Sequence, residues 1–269
     1  MVGIDDRRGL WAAVASFVLW GAMPLYWHLL KGVPALQILL HRIVWSALLV
    51  GGWLVWREGR GWLRAALARP RVAGLLAASG LLIGANWGLY IWAVNNGHVV
   101  ESSLGYFINP LLNVLLGVVF LRERLARAQW ASVAVATLGV LWLTLRFGQL
   151  PWIALALAVT FALYGLVRKL AAVDAMAGLA IESGYLWLPA LALLGWSELH
   201  GSGGFLALAG AGYGVGIDLL LVASGALTAL PLIGFAYAVR RAPLSAIGLL
   251  QYISPTLQFL VGVFAFHEA

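Results

Sequence analysis

One stretch of this chain occurs twice, and that repetition limits the folds open to it. Residues 101–123, ESSLGYFINPLLNVLLGVVFLRE, lie without a gap on residues 246–268, AIGLLQYISPTLQFLVGVFAFHE, at a constant offset of 145. Leu104/Leu249, Ile108/Ile253, Pro110/Pro255, Leu112/Leu257, Leu115/Leu260, Gly117/Gly262, Val118/Val263 and Glu123/Glu268 are identical. The register extends upstream through Ala93/Ala238 and Val94/Val239, with Tyr90 opposite Phe235. Apolar segments share a small alphabet, so matched leucines alone mean little. A proline, a glycine and a closing glutamate kept at one offset point to an internal duplication.

The repeated unit is a membrane unit. Hydrophobic residues make up 63% of the 269 and charged residues 10%, against about 25% charge in a soluble domain. Apolar runs fill most of the chain, and about 20 residues suffice to span a bilayer. The runs are too long for strands and lack period-2 alternation. The sequence therefore predicts an all-α polytopic membrane protein. Nine spans are expected, near 9–30, 34–56, 72–95, 99–121, 128–146, 151–168, 176–196, 217–239 and 243–266, with a Gly-rich connection over 201–216. Arg7 and Arg8 precede a run too long for a signal peptide, so the first span is read as uncleaved.

Lysines and arginines set the expected orientation. With the N-terminus inside, fourteen of the seventeen fall in inside segments: Arg7, Arg8, Arg57, Arg60, Arg64, Arg69, Arg71, Arg122, Arg124, Arg127, Arg168, Lys169, Arg240 and Arg241. Lys31 and Arg146 fall outside, and Arg42 lies within the second span. The net charge of +7 is thus a property of the loops, and nucleic acid is not an expected partner. The copies start five spans apart, an odd number, so they should be inverted relative to each other. SFVLWG at 16–21 and TFALYG at 160–165 extend the inversion to the first and sixth spans. The expected units are residues 1–146 and 147–269. The second holds four spans where the first holds five, because the sequence stops at Ala269, opposite Arg124. Truncation before a tenth helix is the expectation.

Pro110 and Pro255 fall near the midpoints of their spans. A proline has no amide hydrogen and clashes with the carbonyl four residues back, so the carbonyls of Tyr106 and Gln251 should be free and the prolines are candidate hinges. Around them, Tyr106, Asn109 and Asn113 share one helical face, and Gln251, Ser254 and Gln258 share its counterpart at the same offset. Amides facing lipid are costly, so both faces should point inward, either bonding helix to helix or lining a shared midplane cavity. Asn86 and Trp87 in GANWGLY are further candidates, Trp87 as a stacking surface. Arg42 could meet a substrate carboxylate bidentately. His41 and Glu182, also within spans, are candidate proton-coupling residues; pairing with a neighbour to fix packing is the alternative. Gly80, Gly84 and Gly88 permit close helix contact. There is no cysteine. No Walker or GxGxxG pattern, metal cluster or nucleophile triad is present, so no cofactor and no metal is expected, and transport would be driven by a gradient.

FVLWGAMPLYW, LLHRIVWS, GANWGLYIWAVNN, ESSLGYFINPLLNVLLGVVFLRERL, FALYGLVRK and LLQYISPTLQFLVGV together resemble the RarD family of EamA-type transporters, in the drug/metabolite transporter superfamily. The resemblance implies ten helices in two inverted five-helix repeats. It also implies a bacterial inner-membrane location and export or exchange of small metabolites. The absent tenth helix departs from that pattern. The expected function is secondary transport of small metabolites, such as amino acids or drug-like compounds, with membrane lipids around the protein and a proton as candidate coupling ion. Two alternatives stand beside it. A membrane enzyme acting on lipid phosphates would need His, Asp and Arg clustered at one interface, and here they are scattered. A non-transporting assembly or sensor subunit would pack its polar faces shut.

Overall fold

The computed structural model describes residues 4–96, 98–148, 150–208 and 212–265. Among them are helices and connections and no strand. This is the outcome that lipid imposes, because a helix satisfies its own backbone hydrogen bonds where no water can. Among the described residues nine helical segments are long and apolar enough to cross a membrane, within a few residues of the expected bounds. They belong to α1 (Ile4–Leu29), α2 (Ala35–Glu58), α4 (Pro70–Asn95), α5 (Val99–Val119), α6 (Arg127–Phe147), α7 (Trp152–Ala171), α8 (Ala175–Leu199), α9 (Val215–Arg241) and the pair α10 (Leu244–Leu250) and α11 (Ile253–Ala265). Local chemistry sets several ends. Pro34, Pro151 and Pro243 immediately precede α2, α7 and α10, where a missing N–H costs nothing. Asp174 accepts the Met176 N–H at 3.0 Å and caps α8. Gly59 and Gly148 close α2 and α6 with positive φ, as glycine permits.

Two features differ from the sequence expectation. The arginine-rich connection after α2 contains a short helix, α3 (Gly61–Leu67), whose Trp62 packs against the bundle. The ninth span is not one rod. It breaks at Gln251 and Tyr252, between α10 and α11. Pro255 is the third residue of α11, and the break falls three to four residues before it, where a proline ring crowds the preceding turn. The Gln251 carbonyl is not free, since it accepts the Ser254 N–H at 3.1 Å. The tight turn supplies a donor that the uniform helix would have lost. Its counterpart α5 runs through Pro110 unbroken. The Glu268 member of the Glu123/Glu268 pair lies outside the described residues, as does the end of the ninth span.

α1 packs on α9 and α11, and α7 packs on α4 and α5. α2 packs on α8 and α9, α8 also on α4, and α5 meets α10. α6 lies at the periphery, with no buried residue in its span. Gly80 and Gly84 face α8, where an added Cβ would sit 3.4 Å from Glu182 Cα and 2.9 Å from Leu186 Cδ2, while Gly88 faces open space. The deepest packing gathers Phe17, Tyr164, Phe235, Leu244 and Ile247.

Candidate functional site

A cavity of about 380 Å³ lies between the two halves of the bundle. It is bounded by α1, α2, α4, α5, α7, α9, α11 and the break between α10 and α11. Its lining runs from mid-bundle toward the end carrying the α1–α2 turn. At the base, Phe17, Trp20, Phe161, Tyr164 and Phe235 form one aromatic cluster: Phe161 and Phe235 stand 5.4 Å apart, Trp20 is 5.9 Å from both, and Tyr164 stacks on Phe235 at 6.1 Å. Four of these five rings come from the paired SFVLWG and TFALYG segments. The fifth, Phe235, is the register partner of Tyr90, which lines the cavity instead.

Most of the residues singled out in the sequence meet here. Tyr106, Asn109, Gln251, Ser254, Gln258, Asn86, Trp87, Arg42 and Pro255 all line the cavity. Asn113 stands just behind the wall, donating to Gln251 Oε1 at 2.7 Å and to Asn109 Oδ1 at 3.3 Å. The two polar faces are therefore joined directly across the α5–α10 contact. Gly248 makes this approach possible, since an added Cβ would stand 2.7 Å from the Pro110 carbonyl oxygen. Tyr252 donates to the Phe107 carbonyl at 3.1 Å and fixes the break against α5. Asn86 donates to the Leu157 carbonyl at 2.8 Å and to Thr160 at 2.9 Å, tying α4 to α7. Gln258 donates to the Trp20 carbonyl at 3.1 Å, tying α11 to α1.

Among the described residues Arg42 is the single charged one in the lining. Its Nε donates to Thr228 Oγ1 at 2.9 Å. Thr228 in turn donates to the Ser224 carbonyl at 2.8 Å, which turns a lone pair toward the guanidinium. The cation lies 4.8 Å from the Trp27 ring and 5.5 Å from the Trp87 ring, a favourable electrostatic placement. Tyr90 and Tyr106 meet edge to face at 6.1 Å and lie near enough to Arg42 to interact with its charge.

Pro110, His41 and Glu182 do not line the cavity. His41 is buried; its Nδ1 accepts the Trp45 indole N–H at 3.0 Å, and its ring lies 4.6 Å from Phe205. Glu182 is buried between α4, α7 and α8. Ser79 donates to it in a short hydrogen bond, Tyr164 Oη stands at 3.5 Å and Arg168 Nη1 at 3.4 Å.

A second ionic group, which the sequence reading left among the loop charges, closes the arginine-rich end. Glu123, just beyond α5, accepts the Leu244 N–H at 2.7 Å and the Ser245 N–H at 2.8 Å. Its carboxylate thereby caps the start of α10. Lys169 of α7 reaches Glu123 at 3.2 Å and the Ala242 carbonyl at 2.9 Å. Burial pushes the Glu123 carboxyl up, but the Ser245 and Leu244 amides, the Ser245 hydroxyl and the Lys169 charge outweigh it and hold the group below the usual carboxylate range. The repeated Glu123/Glu268 identity was a usable signal for this role. Trp27, Tyr90 and Thr228 were also missed as lining residues, and Thr228 has no register partner that could have flagged it.

A helical membrane protein with a mid-bundle cavity, sealed at one end and polar on two facing walls, is built as a transporter. The comparisons with known proteins agree. Residues 7–145 match the EamA-like transporter family. The chain is 48% identical to a protein named RarD from Streptomyces exfoliatus, over 98% of this chain and 82% of that one. It is 44% identical to an uncharacterized transporter of Pseudomonas aeruginosa over 100% of this chain and 88% of the relative. With RarD of Escherichia coli the identity is 43% over 98% and 88%. One solved crystal structure, 19% identical, shares the fold with a TM-score of 0.69 over 97% of this chain and 89% of its own. The chain belongs to the EamA-like transporter family, alongside proteins named RarD. It is a multi-pass inner-membrane protein of the drug/metabolite transporter superfamily.

Proposed function

We propose that this protein is a secondary transporter, an exporter or exchanger of a small metabolite, which works by alternating access around the Arg42 cavity. The two units are residues 1–146 and 147–269, related as inverted repeats. The observation that carries the reading is the cavity itself, lined by the paired polar faces of both units and sealed at one end. The packing supports the repeats: exchanging α1, α2, α4 and α5 for α7, α8, α9 and α10–α11 maps the α1–α9 contact onto α7–α4, and α1–α11 onto α7–α5.

With the arginine-rich end inside, as the charge bias favours, the N-terminus is cytoplasmic and the cavity lies in the outer half. The aromatic floor and the Glu123–Lys169 clamp then form the inner closure. Inversion supplies the second state. Tyr90 and Phe235 occupy the same register position, one at the cavity wall and one in the floor, and transport would exchange those environments. Glu182 and His41 are proposed as proton-coupling groups that act from behind the wall, Glu182 through the Tyr164 contact to the floor.

Counterflow in proteoliposomes tests the proposal. Asn109→Leu and Gln258→Leu should lower flux more than they lower folded yield. Equal loss of both would favour a purely packing role for the polar faces, and absence of counterflow with any metabolite pool from folded protein would sink the transport reading. Glu182→Gln, in protein that remains folded, should flatten the pH dependence of flux; an unchanged profile removes Glu182 from coupling.

A further inference from the structure

We infer that the cavity takes a small organic monoanion, a carboxylate on an aromatic or branched apolar body, and that Arg42 is the residue that holds the carboxylate. The inference rests on reading the cavity as the transport site and adds the charge and shape of what enters it.

The argument begins with the cost of Arg42. A guanidinium two turns inside a membrane span is expensive to keep charged unless something neutralises it. Among the described residues nothing does. Glu182 is engaged by Arg168, Glu123 by Lys169, and Glu101 by the Ile153 N–H and by His98 at 3.9 Å. Asp218 accepts the Leu206 N–H at 3.3 Å. No acidic side chain lines the cavity. The hydrogen bond that Arg42 makes among the described residues goes to a neutral hydroxyl and uses Nε alone. The two Nη groups are left with no protein acceptor among the described residues, and together they form the edge that a carboxylate meets with two parallel bonds.

The surroundings hold that edge still. Thr228 anchors Nε, and the indoles of Trp27 and Trp87 lie against the cation. The rings also exclude water, which strengthens attraction to an anion. A cationic ligand would meet Arg42 as a like charge. An uncharged ligand would leave the half-buried guanidinium uncompensated. A single fixed cation, with no second one in the lining, suits one negative charge.

The remaining wall sets the body. The floor and sides are aromatic and apolar, with Trp20, Phe161 and Ile91 among them. A volume near 380 Å³ stands at the small end of the range for ligand pockets. A single ring or a branched chain fits that description, and a polycyclic ligand does not.

The test uses the full chain in lipid nanodiscs, with tryptophan fluorescence as the readout and empty nanodiscs as the partition control. The probes are phenylacetate, phenylacetamide and phenethylamine, which share one body and differ in charge. The wild type should bind the acid about tenfold or more tighter than the amide, the ratio expected for a charge-assisted pair, and the amine most weakly. Arg42→Gln should bring the acid-to-amide ratio to near one, and Arg42→Lys should leave part of the preference. Equal binding of acid and amide by the wild type, preferred binding of the amine, or no binding of any probe at millimolar concentration overturns the inference. The probe series on the wild type decides the matter even if the Arg42 variants fold poorly. Counterflow is measured separately: carboxylate-selective binding without flux would sink the transport reading and leave the anion site standing, whereas flux of the amide or amine in preference to the acid would do the reverse.

Discussion

Arg168 and Arg42 are both arginines carried inside membrane spans, and the protein treats them in opposite ways. Arg168 is 1% exposed, faces the Glu182 carboxylate at 3.4 Å and donates to the Ala175 carbonyl at 3.2 Å. Arg42 has a neutral hydroxyl, two indole faces and a cavity. The first arrangement meets its counter-charge inside the protein and joins α7 to α8, although its Nε and Nη1 have no hydrogen-bond partner among the described residues. The second leaves part of the cation's hydrogen-bonding capacity turned toward the open half. For these two arginines the counter-charge separates the roles: where the protein supplies one, the pair is architecture, and where it does not, the group is available to a ligand.

The contrast is broken most directly by removing one side of each arrangement. Glu182→Leu strands Arg168 without a counter-charge and should lower stability by about 3–5 kcal/mol, read from thermal unfolding in detergent, with Arg168→Met added to Glu182→Leu recovering most of the loss. Arg42→Met should cost less than about 1 kcal/mol in the absence of ligand, because it removes a cation that had no charged partner to abandon. If the two single variants lose equal stability, the two arginines do not differ as described.

A smaller effect is expected where α10 rests on α5. Gly248→Ala places a Cβ 2.7 Å from the Pro110 carbonyl oxygen, an overpacking that should cost about 1–3 kcal/mol. Gly88→Ala, which meets nothing within 4 Å, should be neutral or slightly stabilising. The same unfolding assay separates them, and a tolerant Gly248 would mean that the α5–α10 contact is loose.

Next comes the clamp. Glu123→Gln keeps a hydrogen-bond acceptor and loses the charge shared with Lys169 and the α10 start. A loss of about 0.5–2 kcal/mol follows for a helix cap near a dipole, read as easier labelling of a cysteine introduced at the floor from the arginine-rich end. The pH sign is fixed by the lowered Glu123 pKa. The clamp is fully formed above the ordinary carboxylate value of about 4.3 and weakens as the pH falls below it. Opening that is insensitive to pH through this range would remove Glu123 from the closure. The smallest effect is Pro255→Ala. In the first turn of α11 the proline displaces no helical hydrogen bond, and the change should stay within about 1 kcal/mol.

Much of this molecule could be read from its residues. Long apolar runs left only helices, the arginine loops marked the connections, and the 145-residue register singled out Asn109, Gln251, Ser254 and Gln258 from sequence alone. Those signals are local or periodic, and lipid enforces them, since an unpaired backbone group has no water to turn to. The register could not tell that its two copies differ. Pro110 and Pro255 are one position in sequence, yet α5 runs straight through the first while its counterpart breaks four residues before the second. Which copy bends depends on the neighbours: Gly248 lies on the Pro110 carbonyl, and Tyr252 is held by the Phe107 carbonyl. In the same way Glu182 and Arg42 were equal candidates as charges within spans. Only the packing decided that Glu182 would meet Arg168 on the neighbouring helix and that Arg42 would meet Thr228 and a cavity, because which side chains face one another between helices is a property of the fold and leaves no mark on the local sequence.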